Sequence, residues 1–588
     1  MPAGTELELA FKNAALSRRQ WWLMIVSFAV VAGIVFFYEL GDYKTLGSHE
    51  AFAVVPAREM AESGNWVVPR FGGIPRLRKP PLVYWVLAGT ERLFGELNEW
   101  NVRLPAALSA LALSVLMGFW AGRWYGKTAG FAAALAQVTC IYVLVYSRKA
   151  EVDMMLCLLT TLAMFLIAEE QPDDSKQSRC FRWIGIYVLL SLSWLAKFHY
   201  GPAMVLAPCV LYWLIQKRYR LLRNLANPVG LMIFAAAVLV WPYLLLQQIP
   251  EAWEVWRRET LGRAVGELGT KPIWYYFPYI LWLTLPWTPL ALSAIPASWK
   301  RAWKQADARE RFLWVWFLTQ LIIVSVSANK HKHYLMAALP MCSLLVGQRF
   351  AVIVQRVREG KPLLSRRAAV YWYVVSLAGA VAVPVVAISG LPSLRNPCLI
   401  ISVILGTGGP LTVWLIRNNK ASAGGYAFLA VFLSCFVTAT GWIIPRQDHR
   451  LAATVFAKEI REELTSDKEI CVYGMEKDEV VYYLDSPVYR TESLDGVTSY
   501  LSRKKKLFVV TYEDNLRELA DIGHHKVIKR LSVSPGMAAP KHRPLVLIEL
   551  SRSGMSETNA NTPMSPTDKN RNPPRLASEP VLPDAARR

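Results

Sequence analysis

The chain reads as a polytopic α-helical membrane protein of about thirteen transmembrane helices, ending in a small extracytoplasmic α/β domain. Three observations predict this. Of its 588 residues, 54% are hydrophobic and 19% charged, a balance that excludes a disordered chain. Apolar stretches long enough to cross about 30 Å of hydrocarbon recur down to residue 443. Lys and Arg gather in alternate loops, the asymmetry that orients membrane proteins.

The apolar stretches fall at 21–40, 102–121, 128–146, 152–168, 183–198, 202–216 and 229–248. They continue at 276–296, 312–328, 334–348, 369–389, 396–416 and 425–443. No small-residue cleavage signature follows Leu40, so the first stretch reads as a span and not a cleaved leader. One alternate set of loops holds about 25 basic residues and reads as cytoplasmic. It includes Arg18 and Arg19, Arg123 and Lys127, Arg179 and Arg182, and the runs at 217–223, 300–311 and 349–367. With an odd number of spans, residues 1–20 lie in the cytoplasm and the C-terminal region outside. The net charge of +22 is thereby a topology signal, and no nucleic-acid partner is needed to explain it.

The chain divides into the N-terminus 1–20, a membrane domain 21–443 with outer loops 41–101 and 249–275, an α/β domain 444–550, and a polar tail 551–588. The tail is rich in Pro, Ser, Asn and Arg and reads as disordered. In the α/β domain, 447–463 has the pattern of an amphipathic helix. Short strand patterns follow at Glu469–Tyr473, Ser486–Tyr489, Lys506–Thr511, Lys526–Leu531 and Leu545–Leu550, with helical patterns at Asp478–Leu484 and Asp514–Leu519. No glycine-rich phosphate loop or nucleophile elbow is present there. Of eight Cys only Cys471 lies in this domain, so no disulfide framework is implied.

Every cluster with chemical content falls on the outer side. Basic residues are normally sparse there, yet Arg70, Arg76, Arg78, Lys79, Lys197, Arg257, Arg258, Arg263, Lys271, Lys330 and Lys332 all do. Such a set suits an anionic lipid headgroup, a phosphate or pyrophosphate: Arg offers bidentate donors and Lys a mobile point charge. Lys79 is set against Pro80-Pro81, and Lys330 lies in the turn NKHKHY between two spans. The outer carboxylates are Asp42, Glu50, Glu59, Glu62, Glu151 and Asp153. Asp153 opens a span and suits either a helix start or a site. The aromatic set Trp66, Tyr84, Trp85, Trp274, Tyr275, Tyr276 and Trp287 suits an interfacial belt or stacking on sugar rings.

The run Glu50-Ala51-Phe52, Ala57-Arg58-Glu59-Met60, Gly64-Asn65-Trp66, Lys79-Pro80-Pro81-Leu82-Val83-Tyr84-Trp85 and Arg103-Leu104-Pro105 resembles the first outer loop of a known superfamily. These are the ArnT-like aminoarabinose transferases and protein O-mannosyltransferases, glycosyltransferase families 83 and 39. The resemblance continues through Arg148…Asp153, Lys197…Gly201-Pro202, Trp274-Tyr275-Tyr276…Pro286-Trp287 and Lys330…Tyr334…Pro340, and so covers about residues 20 to 443.

The resemblance implies a GT-C fold in the cell inner membrane. It implies an inverting transferase that moves a sugar from a polyprenyl-phosphate donor to a lipid or protein acceptor at the outer face. Lys79 would reach the donor phosphate, with Arg263, Lys197 and Lys330 as further phosphate-binding residues. Asp153 matches the second acidic position, and Arg58, Tyr84, Tyr275 and Tyr334 are expected to bind substrate. Two departures stand out. His49-Glu50 replaces the usual Asp-Glu, so the base that activates the acceptor is His49, Glu50 or Asp153. Arg78 replaces a Glu that helps bind a metal in some relatives. No metal is assigned, although His331 and His333 leave a divalent cation open as a cofactor.

Two alternatives remain. A lipid transporter or flippase calls for inverted repeats and midplane ionisable residues. A non-catalytic envelope lipid-binding or scaffold protein calls for no convergence of basic, acidic and aromatic groups.

Overall fold

A computed structural model describes residues 17–170, 174–262, 269–359, 366–390, 394–418, 420–464, 469–475, 479–484, 488–504, 506–532 and 544–552. Arg263 and nearly all of the tail lie outside the described residues. The membrane part begins with α1 (Arg18–Phe37), and an outer layer follows with α2 (Ser48–Ser63) and α3 (Leu82–Phe94). Then come α4 (Glu99–Tyr125), α5 (Lys127–Thr139), α6 (Ile141–Tyr146), α7 (Asp153–Ala168), α8 (Lys176–Lys197), α9 (Tyr200–Ile215) and α10 (Pro228–Gln248). After the short α11 (Ala252–Arg257) lie α12 (Tyr276–Leu283), α13 (Thr288–Trp303), α14 (Ala308–Val326) and α15 (Pro340–Arg358). Helices at Arg366–Gly390, Arg395–Arg417 and Ser422–Arg446 complete the part.

This is a polytopic α-helical membrane protein. Six described helices are long and apolar enough to cross a bilayer singly, and eight crossings result if two bent pairs each count as one. The expectation of about thirteen long spans is therefore not met at that length. The apolar stretches are helical, but several are short or broken. α7 and α9 have 16 residues each. The stretch 128–146 is interrupted at Cys140, whose backbone is extended. Ile273–Leu283 and α13 meet at 114°. Sequence hydropathy registers apolar length and is blind to such breaks.

The core of the bundle is large and aromatic, with Trp120 stacked on Trp316 at 5.5 Å between ring centroids. α4 is its axis: it is 27 residues long and opens at Asn98, whose side chain accepts the Trp100 and Asn101 N–H groups. A second core joins the outer layer to the C-terminal domain, where Leu46, Val54, Ala57 and Tyr84 share one apolar cluster with Phe456, Ile460, Tyr482 and Tyr483. The strand signals at the C-terminal end form one sheet of β3 (Ile470–Tyr473), β4 (Val488–Thr491), β5 (Lys506–Tyr512), β6 (Gly523–Arg530) and β7 (Leu545–Arg552) in the order β4-β3-β5-β7-β6. β3 is parallel to β4 and β5, while β7 is antiparallel to β5 and β6. β1 (Arg70–Phe71) and β2 (Ile74–Pro75) form a small hairpin in the first outer loop.

Candidate active site

Two buried arginines shape the entrance to the first outer loop. Arg103, on α4, is 0% exposed. Its Nη1 donates to the Leu40 and Gly41 carbonyls at 3.0 and 3.1 Å, and its Nη2 to the Lys44 carbonyl at 2.8 Å. Its Nε donates to Glu50 Oε1 at 3.0 Å. Arg148 donates to the Val35, Tyr38 and Glu39 carbonyls at 2.9, 2.6 and 2.9 Å. The Tyr43 ring lies between both guanidiniums, at 4.8 and 4.5 Å, and its hydroxyl donates to the Arg148 carbonyl. A chain entering the loop from α1 has no helix to satisfy its carbonyls, and the arginine forks supply the missing donors.

Glu50 belongs to this scaffold. Beyond Arg103 it accepts the Gly47 N–H at 3.0 Å and the Ala150 N–H at 3.1 Å. Burial pushes its carboxyl upward, but Arg103 and the two amides outweigh burial and hold it below the ordinary glutamate range. A carboxylate so fully engaged is a poor proton acceptor. Through these bonds Glu50 ties the turn before α2 to the turn before α7.

That tie brings the neighbours of Glu50 and Ala150 together. Burial lowers the His49 imidazole below its ordinary range; Glu151 opposes this, while Lys79, Lys149 and Arg76 add to it. Lys79 is half-buried. Burial lowers its ammonium from the usual lysine range, with Asp153 and Glu151 opposing and Lys197 and Arg76 reinforcing the shift. Among the described residues Lys79 makes no hydrogen bond or ion pair. It is placed by the loop before it, where the Trp241 and Trp256 indoles donate to the Val67 and Leu77 carbonyls at 3.0 and 2.8 Å. Pro80-Pro81 then starts α3 directly after it.

Asp153 is the first residue of α7 and Lys197 the last of α8, each at the helix end its charge favours. They pair at 2.7 Å, both largely buried. The Lys197 ammonium also sits 4.4 Å from the Tyr334 ring and 5.3 Å from that of Tyr200. The Tyr200 hydroxyl donates to the Tyr334 carbonyl, fixing the turn that carries His333. The His333 ring stacks on His331 at 5.4 Å and meets the Tyr334 ring edge-on at 4.7 Å.

His49, Lys79, Asp153, Lys197 and Tyr334 therefore converge at one end of the bundle, with Glu151 and His333 beside them. Lys330 and Tyr275 stand one layer away. Lys330, 3% exposed, donates to the Lys271 carbonyl at 2.9 Å, and the Lys271 N–H donates to Ala328 at 3.0 Å. This staples two outer turns together, with Tyr275 packed 4.9 Å from Tyr279 and under the Lys271 ammonium at 4.8 Å. Lys330 thus spends one of its three ammonium donors on backbone.

Arg58 and Tyr84 lie elsewhere. Arg58 faces the C-terminal domain, with its guanidinium 4.8 Å from the Tyr482 ring, and lines a separate cavity of 480 Å³. Tyr84 is 0% exposed in the core under the outer layer, beside Arg76. Arg103 and Arg148 lie outside the expected site residues, although an arginine at the edge of an apolar stretch has to find its partners inside the bundle. No group of three or more His, Cys, Asp or Glu side chains among the described residues is arranged to hold a metal ion.

Residues 78–244 match the family model of dolichyl-phosphate-mannose-protein mannosyltransferases. An undecaprenyl phosphate-alpha-4-amino-4-deoxy-L-arabinose arabinosyl transferase of Pseudomonas aeruginosa is 29% identical over 363 residues, 60% of this chain and 63% of that protein. One from Pseudomonas savastanoi pv. phaseolicola is 28% identical over 369 residues, 60% of this chain and 66% of that protein. The matched part thus spans a little under two thirds of these relatives. The crystal structure of ArnT from Cupriavidus metallidurans bound to undecaprenyl phosphate superposes with a TM-score of 0.72 at 22% identity, covering 89% of this chain and 97% of that one. The chain has an ArnT-like GT-C fold. The likeness takes in the C-terminal domain as well as the bundle, since so much of both chains superposes. The match to the mannosyltransferase model begins at Arg78, one residue before Lys79, and runs through Arg103, Asp153 and Lys197 into α10.

Proposed function

We propose that the protein is an inverting glycosyltransferase that moves a sugar from a polyprenyl-phosphate donor to a lipid or protein acceptor at the outer face of the inner membrane. The observation that carries the reading is Lys79. It is a half-buried ammonium with no hydrogen bond or ion pair among the described residues, set between His49 and the Asp153–Lys197 pair. A bare cation held in a partly dehydrated site lacks an anion, and a lipid phosphate supplies one. The ArnT-like fold and the undecaprenyl-phosphate transferases among the relatives support the same donor class.

In this reading the acceptor hydroxyl oxygen attacks the anomeric carbon from the face opposite the phosphate. The new C–O bond forms as the bond to the phosphate oxygen breaks, and the electron pair leaves with the polyprenyl phosphate. Lys79 and Lys197 stabilise that charge, Asp153 fixes Lys197, and neutral His49 takes the hydroxyl proton. Tyr334 offers a ring face to the sugar, Tyr275 one layer out is a more distant substrate contact, and Arg263 is a further phosphate contact. We also read the shorter and broken helices as completing about thirteen crossings, with residues 1–20 cytoplasmic, 444–550 outside and 551–588 as a tail. Chelation decides the cofactor: transfer that survives EDTA assigns the charge to the lysines, and transfer that stops assigns a divalent cation.

The test is transfer of radiolabelled sugar from undecaprenyl-phosphate donors to a membrane extract. Loss of label in both His49→Ala and Lys79→Ala is the expected result. Loss in Lys79→Ala alone moves proton transfer away from His49. A folded wild-type protein that transfers nothing from any donor contradicts the reading and favours a lipid-binding role.

A further inference from the structure

The residues that lead into His49 are held mostly by the C-terminal domain. The Thr45 N–H and hydroxyl both donate to Asp448 Oδ2, at 2.8 and 2.6 Å. The Leu46 N–H donates to the Tyr483 hydroxyl at 2.8 Å. The Gly47 N–H goes to Glu50, and the Ser48 hydroxyl donates to Glu479 Oε2 at 2.6 Å. Asp448, Glu479 and Tyr483 are each buried. They are themselves fixed: the Arg450 N–H donates to Asp448 Oδ1 at 3.2 Å, and the Arg450 guanidinium lies 3.9 Å from Glu479. The neighbouring Tyr482 hydroxyl donates to the Leu97 carbonyl at 2.8 Å, pinning the same helix to the outer layer.

Gly47 fits this account by size. A Cβ at that position would stand 2.9 Å from Arg450 Nη1, so a larger residue there would require the guanidinium to shift. Three successive amides bonded to side chains, instead of to each other, are not a self-supporting turn. Their conformation is imposed by whatever carries the acceptors. Since Gly47 caps α2 and His49 is the second residue of that helix, the direction of the His49 side chain follows from the shape of 45–48.

We infer that Asp448, Glu479 and Tyr483 are positioning residues for the transfer reaction: the C-terminal domain holds the 45–48 turn so that His49 faces Lys79 and the acceptor. The inference rests on the proposed transferase reading for its functional part, while the holding of the turn is measurable without any activity. It gives the α/β domain a role in the rate of the chemical step, beyond covering the bundle.

The experiment uses the full-length protein in detergent micelles, with Tyr483→Phe, Asp448→Ala and Asp448→Asn. Hydrogen exchange by mass spectrometry reads the amides of 45–50, with β5 as the internal reference. Tyr483→Phe and Asp448→Ala should exchange about tenfold faster at 45–50 while β5 keeps its wild-type rate. In the transfer assay kcat should fall about tenfold with the donor KM within about twofold, and Asp448→Asn, which keeps an acceptor oxygen, should restore most of both. Unchanged exchange at 45–50 overturns the inference, as does faster exchange with unchanged kcat. If the wild type transfers no sugar while the variants still exchange faster, the turn-holding role stands and the transferase reading falls.

Discussion

Helix α4 carries a buried polar cluster near each end, with Arg103 and Tyr125 about 33 Å apart along it. At the Tyr125 end, Glu310 Oε1 accepts the Tyr125 hydroxyl at 3.2 Å, Arg301 Nε at 3.1 Å and the Gln348 amide, and Oε2 accepts the Ser298 hydroxyl at 2.6 Å. Asp307 caps α14 beside it. At the Arg103 end, Glu50 and Asp153 are satisfied in the same way, but among the described residues Lys79 and His49 make no such bond. One cluster pairs its carboxylate with an arginine and joins four helices; the other surrounds a cation with no hydrogen bond or ion pair among the described residues. Burial of charge alone does not mark a functional site. An unmatched charge held in place by matched ones does.

The comparison breaks if the two ends respond alike. Glu310→Ala leaves Arg301 buried without its carboxylate and should cost about 3–5 kcal/mol of stability, with activity per folded molecule retained. Lys79→Ala should leave thermal stability near wild type and lower kcat/KM about 10²–10³-fold. Thermal unfolding and steady-state transfer on both variants separate the cases. A stable, inactive Glu310 variant, or an unstable Lys79 variant, would erase the distinction.

A smaller effect sharpens it. Burial depresses the His49 imidazole below its ordinary value of about 6.5, so the neutral form persists to lower pH than for a free histidine. If neutral His49 takes the proton, the acid limb of kcat/KM lies below that value. Glu151 works against the depression, so Glu151→Gln should move the limb to still lower pH, and Lys149→Met should move it upward. A limb that stays in place in both variants would remove His49 from the proton transfer.

Much of this was legible in the sequence. The gathering of Lys79, Asp153, Lys197 and Tyr334 at one end of the bundle fits their common placement in one alternate set of loops. The five strand patterns coincide with the strands of the sheet, although only β6 alternates in burial and β3 is buried throughout. What the sequence could not convey was partnership. Glu50 looks like a base because a carboxylate at a membrane face has a short list of uses. Only the structure reveals that Arg103, 53 residues away, and two amides occupy it. Lys330 resembles Lys79 as a basic residue in a constrained turn, yet its ammonium donates to the Lys271 carbonyl while that of Lys79 has no bond among the described residues. Arg58 and Tyr84 sit on α2 and α3, but the sequence does not say which helix face the C-terminal domain covers.

The most direct measurement is equilibrium binding of undecaprenyl phosphate, without sugar, to the purified protein in detergent, comparing wild type, Lys79→Ala and Glu310→Gln. An uncommitted cation that exists to meet a lipid phosphate predicts affinity weakened at least about tenfold in Lys79→Ala, a loss of roughly 1.4 kcal/mol, and unchanged in Glu310→Gln. Equal affinity in all three would contradict the assignment of Lys79 to the phosphate and, with it, the account of the outer cluster.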